Sequence, residues 1–237
     1  MPDDKEPRDD ARVIITREAL RDGSLLARVR ANVLPGMMVR SDAEIEASLD
    51  AILAGHDPAQ EVWLFAYGSL LWNPAIRFEA REPALLRGWR RRYAFWLRMG
   101  RGSPERPGLM LGLDRGGSCY GIAYRIAAPA RDELLLVWRR EMFGRAYIAR
   151  WVSIVIRGAP VRAVTFTANR HYDTYVGSLT DEEAATAIAT AKGTLGTCAE
   201  YLHQTLAHLH EVGLTDRGLE RIAALVDERT LRPIARV

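Results

Sequence analysis

The chain has 237 residues, 48% of them hydrophobic and 27% charged, and a formal net charge of +3. That length buries a sizeable core, and the balance excludes disordered and fibrous classes. No apolar run approaches the roughly 18 residues of a membrane span, and the polar start MPDDKEPRDD does not read as a signal peptide, so a cytoplasmic protein with no membrane partner is expected.

Along the chain, the first ten residues read as disordered, and residues 12 to 33 carry apolar positions at helical spacing, enough for a short helix or two. SDAEIEASLDAILAG is a clearer helix, opened by a Ser41/Glu44 capping box and stopped by Gly55. Strand-like segments follow at 61–67, around 84–97, and at 109–114, 119–126, 149–157 and 161–168. Turn signals separate them at Arg115-Gly116-Gly117-Ser118 and Arg157-Gly158-Ala159-Pro160. ARDELLLVWRREMF, opened by Pro129, is a helix inserted among the strands. After residue 180 the pattern is helical again, with T-x-x-E capping boxes at Thr180/Glu183 and Thr197/Glu200 and a last helix from about Thr215 or Asp216 to Arg229. The expected fold class is α+β: a small β-barrel or twisted sheet with an inserted helix, flanked by N- and C-terminal helices. The expected division is an extension over 1–60, a core over 61–180 and C-terminal helices over 181–237, all in one domain.

Few of these residues carry obvious chemistry. Cys119 and Cys198 form no CxxC and read as reduced packing thiols. There is no HExxH, and His203, His208 and His210 share a helix without metal-binding spacing, so neither metal nor cofactor is expected. RGWRRRYAFWLRMGRGSPER carries seven arginines and one acid, Glu105. The modest net charge and the alternation of arginine with aromatic residues favour a strand with one wet face over a nucleic-acid surface. Ser69, in Tyr67-Gly68-Ser69-Leu70, has neither a GxSxG frame nor a histidine with a claim as its base, so it reads as a turn position. Among the carboxylates Glu141 differs, because in helical register it borders Val137 and Trp138. The residues leave two readings open: a carboxylate of raised pKa that moves protons, or an ion pair with Arg139, Arg140 or Arg145.

Several motifs occur in order: FAYGSLLWNP (65–74), RGSPERPG (101–108), YGIAYRI (120–126), WRREMFGRAY (138–147) and GTLGTCAEYL (193–202). Together they resemble the ChaC-like, glutathione-specific γ-glutamylcyclotransferases over about residues 60 to 213. The resemblance implies a cofactor-free enzyme that cleaves glutathione to 5-oxoproline and cysteinylglycine, with Glu141 as catalytic acid/base. It makes Tyr67, Gly68, Ser69 and Leu70 the substrate loop and adds Tyr147 and Arg101 to the binding residues. It also implies an arginine at Arg91 or Arg92, of which Arg92 is taken. A small molecule, glutathione or another γ-glutamyl peptide, is the expected partner. Another γ-glutamyl amine as substrate, or a non-catalytic regulator using the same pocket, stays open at this point, as does the choice of monomer or homodimer.

Overall fold

A computed structural model of the chain describes residues 13–231, so the expectation of a disordered first ten residues lies outside the described residues. Three helices come first: α1 (Arg17–Arg21), α2 (Ser24–Ala31) and α3 (Asp42–Leu53). The Ser41/Glu44 capping box opens α3, with each partner satisfying the other's free backbone N–H. Strand β1 (Val62–Ala66) leads into a single 3₁₀ turn, Ser69–Leu71, and then the long strands β2 (Ala80–Leu97) and β3 (Gly108–Ile126). Helix α4 (Arg131–Glu141) separates them from β4 (Tyr147–Ile156) and β5 (Ala159–Ala168). The chain ends in α5 (Asp181–Thr190), a short hairpin of β6 (Lys192–Gly193) and β7 (Gly196–Thr197), α6 (Cys198–Glu211) and α7 (Arg217–Leu231).

The five longer strands close into a barrel in the order β1-β3-β2-β4-β5, and β5 returns parallel to β1 with Trp63 opposite Ala163. Closure leaves none of these strands as an open edge. Strand β1 is buried on both faces, which is why it reads as a continuous apolar run. Val62, Leu64 and Ala66 enter a core shared with the N-terminal helices and α4; Phe65 and Tyr67 enter a second core under α5, α6 and α7. Burial of Val62, Leu64 and Phe65 contributes about 1.5–3 kcal/mol each, so the strand preceding the 3₁₀ turn is firmly held.

One expected turn is corrected. Arg115-Gly116-Gly117-Ser118 does not divide two strands but lies inside β3, whose pairing with β2 continues from Arg87↔Ser118 to Trp89↔Arg115 across a register shift. Gly116 and Gly117 use their positive φ for a bulge opposite Gly88, which also has positive φ, so the glycines bend the ribbon without reversing it. Arg157-Gly158 is a true reversal between β4 and β5, with both residues at positive φ as a two-residue hairpin requires. Pro129 lies two residues before α4 and does not occupy its first turn.

Candidate active site

The stretch after β1 is held almost entirely through its carbonyl oxygens. The Tyr67 carbonyl accepts from Arg91 Nε at 2.6 Å. Those of Gly68 and Ser69 accept from the N–H groups of Leu71 and Asn73 at 2.8 and 3.1 Å. The Tyr124 hydroxyl lies 3.0 Å from both the Leu70 and the Leu71 carbonyl, and Arg140 donates to Asn73 O. Among the described residues the N–H groups of Gly68, Ser69 and Leu70 have no acceptor. The turn thus presents the unpaired donors of a helix start, a setting suited to a carboxylate or a developing oxyanion.

Glu141 is the last residue of α4 and its side chain is 14% exposed. Val137 and Trp138, one turn behind it, are fully buried, and Trp138 packs edge-on against Phe166 at 5.1 Å. Burial pushes the Glu141 carboxyl above the usual glutamate range, while the positive charge of Arg140 pulls the other way without reversing it. The two readings left open by the residues are therefore both present. Arg140 Nε approaches Glu141 Oε1 to 3.1 Å, yet that nitrogen makes no aligned hydrogen bond. Its Nη2 donates to Ser69 Oγ at 2.8 Å. One guanidinium thus ties the carboxylate to the turn, and the Ser69 hydroxyl is occupied as an acceptor.

Three tyrosines complete the cluster. Tyr67 donates to Phe166 O at 2.8 Å and Tyr147, at the start of β4, to Leu111 O at 2.6 Å. Tyr201, on α6, lies so close to the turn that a Cβ added at Gly68 would sit 3.0 Å from its hydroxyl. Burial, reinforced by the nearby Glu141 carboxylate, raises all three hydroxyls, so they act as neutral hydrogen-bonding groups. Arg101 stacks over the Tyr201 ring at 5.5 Å and donates to Thr197 O at 2.9 Å.

The structure therefore brings together Tyr67, Gly68, Ser69, Leu70, Glu141 and Tyr147, with Arg101 joined to them through Tyr201. Arg92 is placed differently: it reaches Gly177 O at 2.7 Å and Asp114 at 3.3 Å, and its neighbour Arg91 is the residue that meets the turn. Sequence reasoning named Arg140 among three possible ion-pair partners of Glu141 but missed its bond to Ser69, and it missed Tyr201. Both lie inside motifs already singled out, WRREMFGRAY and GTLGTCAEYL, which was the available signal. The remaining candidates stay outside. Cys119 and Cys198 are free and buried, and burial pushes the Cys198 thiol up to about 11. His203 and His210 each lie 3.0 Å from a surface carboxylate, Asp227 and Glu220. Among the described residues no cluster has the makings of a metal site, and no helix is long and apolar enough to cross a membrane.

Residues 62–229 match the family model described as ChaC-like protein. The chain belongs to the ChaC-like family. The glutathione-specific gamma-glutamylcyclotransferase of Escherichia coli K12 is 34% identical to this ChaC-like chain over 90% of it and 92% of the relative. The glutathione-specific gamma-glutamylcyclotransferase 1 of Danio rerio is 31% identical over 73% of the chain and 92% of the relative. The ChaC-like barrel also superposes on the crystal structure of a yeast γ-glutamyl cyclotransferase specific to glutathione. That match has a TM-score of 0.64 at 19% identity, covering 72% of this chain and all of that one (100%), and it speaks for the fold alone.

Proposed function

We propose that this ChaC-like protein is a glutathione-specific γ-glutamylcyclotransferase in which Glu141 moves the proton and the 67–70 turn holds the γ-glutamyl group. The observation that carries the site assignment is a buried carboxylate tied by Arg140 to a turn with three unpaired N–H groups. In the reaction the substrate's own α-amine attacks its γ-carbonyl carbon. A new C–N bond closes 5-oxoproline, and the old amide C–N bond breaks to release cysteinylglycine. Nucleophile and electrophile are tethered, so much of the task is to fold the glutamyl arm correctly. Glu141, ionised, accepts the proton that the α-ammonium must lose and later returns it to the leaving amide nitrogen. The N–H groups of the turn stabilise the oxyanion that forms on the γ-carbonyl oxygen. Neutral Tyr67, Tyr147 and Tyr201 wall the site and keep bulk water from competing.

The test is incubation of the purified protein with glutathione, followed by measurement of 5-oxoproline and cysteinylglycine. Both products should appear in equal amounts, and γ-glutamyl amino acids should compete poorly. A folded protein that makes neither product would overturn the activity; one that prefers another γ-glutamyl amine would overturn the substrate.

A further inference from the structure

The peptide that joins Tyr67 to Gly68 is planar, so its carbonyl and the Gly68 N–H point in opposite directions and turn together. Of the three peptides whose N–H groups are unpaired, those of Ser69 and Leu70 have their carbonyls held within the turn, by Leu71 and Asn73. The Tyr67–Gly68 peptide is held from across the fold, by Arg91 on β2. The Arg91 side chain is 1% exposed, and each of its three guanidinium nitrogens donates a hydrogen bond. Nε binds Tyr67 O at 2.6 Å, Nη1 binds Asp216 Oδ2 at 2.6 Å and Nη2 binds Tyr120 O at 2.5 Å. The other oxygen of Asp216, Oδ1, accepts from Gly218 N and Leu219 N at 3.1 Å, and so opens α7. One carboxylate therefore both caps the last helix and balances the buried guanidinium.

We propose that Arg91 is a positioning residue for the reaction: seated on the Asp216 cap of α7, it fixes the Tyr67–Gly68 peptide so that the Gly68 N–H faces the substrate. Arg91 touches the turn from behind and acts through it. A planar fork is needed because three acceptors at fixed directions must be met from one buried side chain, which an ammonium on a flexible stem cannot do. Arg92, one residue on, faces Asp114 and cannot substitute. The C-terminal helix thereby becomes part of the catalytic framework although it lends no group to the chemistry.

The catalytic half of this inference rests on the cyclotransferase reading; the structural half does not, and the experiment separates them. Arg91→Lys and Asp216→Asn are compared with the unaltered full chain by hydrogen exchange without substrate, and by kcat, KM and the pH profile with glutathione. In Arg91→Lys, exchange in the segment 67–73 should rise about tenfold while that of Leu134–Trp138 in α4 stays unchanged. Turnover should fall about tenfold or more, mostly in kcat, with the acidic midpoint set by Glu141 unmoved. Asp216→Asn keeps an acceptor for the α7 cap but loses the charge facing Arg91; it should shift both readouts the same way by about threefold, and it decides the matter if Arg91→Lys does not fold. Folded variants with exchange at 67–73 and kcat within about twofold of the unaltered chain would overturn the proposal. So would exchange that rises uniformly across the core together with a displaced pH midpoint, the mark of general loosening. If the unaltered protein turns over no γ-glutamyl compound, the functional reading fails, and the exchange data alone still accept or reject the Arg91 anchor.

Discussion

Glu141 and Arg140 are adjacent in sequence, buried together, and pull each other's ionisation in opposite directions from the burial that dominates both. In the proposed reaction Glu141 accepts a proton only when ionised, so activity should fall as pH drops through its pKa, and that midpoint should lie above the ordinary glutamate range in a kcat/KM profile. Arg140→Met removes the charge that favours the carboxylate, so the acidic midpoint should move further up, and turnover should fall because Ser69 loses its anchor. Glu141→Gln should retain glutathione binding by calorimetry while kcat drops about 10²-fold or more. Ser69→Ala separates a turn residue from a nucleophile: the loss of one hydrogen bond to a guanidinium should cost about tenfold, whereas loss of a nucleophile would abolish turnover.

At the scale of elements, the 3₁₀ turn and α6 are fitted to each other through Gly68 and Tyr201. A Cβ at position 68 would sit 3.0 Å from the Tyr201 hydroxyl, so the tyrosine would have to give by a few tenths of an ångström; glycine leaves it in place and leaves the backbone open to a ligand. Gly68→Ala should lower kcat/KM by about tenfold, and Gly68→Ala combined with Tyr201→Phe should recover part of that loss relative to Tyr201→Phe alone, since the two residues are in contact. Additive losses in that cycle would show that the contact is not the reason for glycine. The Thr197/Glu200 capping box starts α6 where it delivers Tyr201 to the turn.

Across the whole molecule, charged side chains tie segments distant in sequence to one another. Asp114 on β3 is 2% exposed and binds Arg170 Nε at 2.6 Å, the Tyr175 hydroxyl at 2.8 Å and Arg92, joining the segment after β5 to the barrel. Burial raises its carboxyl, but the hydrogen bonds from Tyr175 and Arg170 outweigh that and hold it below the usual aspartate range. A depressed folded pKa means that this stability is complete above the unfolded value of about 3.9 and is lost as pH falls through the folded value. Asp114→Asn should therefore lower stability by about 2 kcal/mol in urea unfolding at neutral pH, discounted for the half-exposed Arg170, and the difference should shrink below about pH 4. At the other end of the chain, Arg40 donates to Met142 O at 2.8 Å and to Gly144 O, and Arg17 binds Glu133 on α4 at 2.5 Å. The N-terminal helices thus brace the helix that carries Glu141.

Local chemistry determined a large part of this protein. The capping boxes at Ser41, Thr180 and Thr197 depend on residues three apart, and the inserted helix and the double-faced strand β1 follow from apolar spacing, so each was legible without the fold. The turn and Glu141 stood out for the same reason, as a donor-rich break in a core strand and an acid at an apolar helix end. Other features required the closed barrel. A Gly-Gly pair specifies positive φ but not whether the ribbon bends or reverses, and pairing with the bulge at Gly88 settled that in favour of a bend. Two adjacent arginines on a strand point to opposite faces, and which face holds the turn depends on register and closure; hence Arg91, not Arg92, meets Tyr67. Arg140 and Tyr201 meet Ser69 and Gly68 across separations of about 71 and 133 residues, distances over which sequence spacing carries no geometric information until the chain has folded.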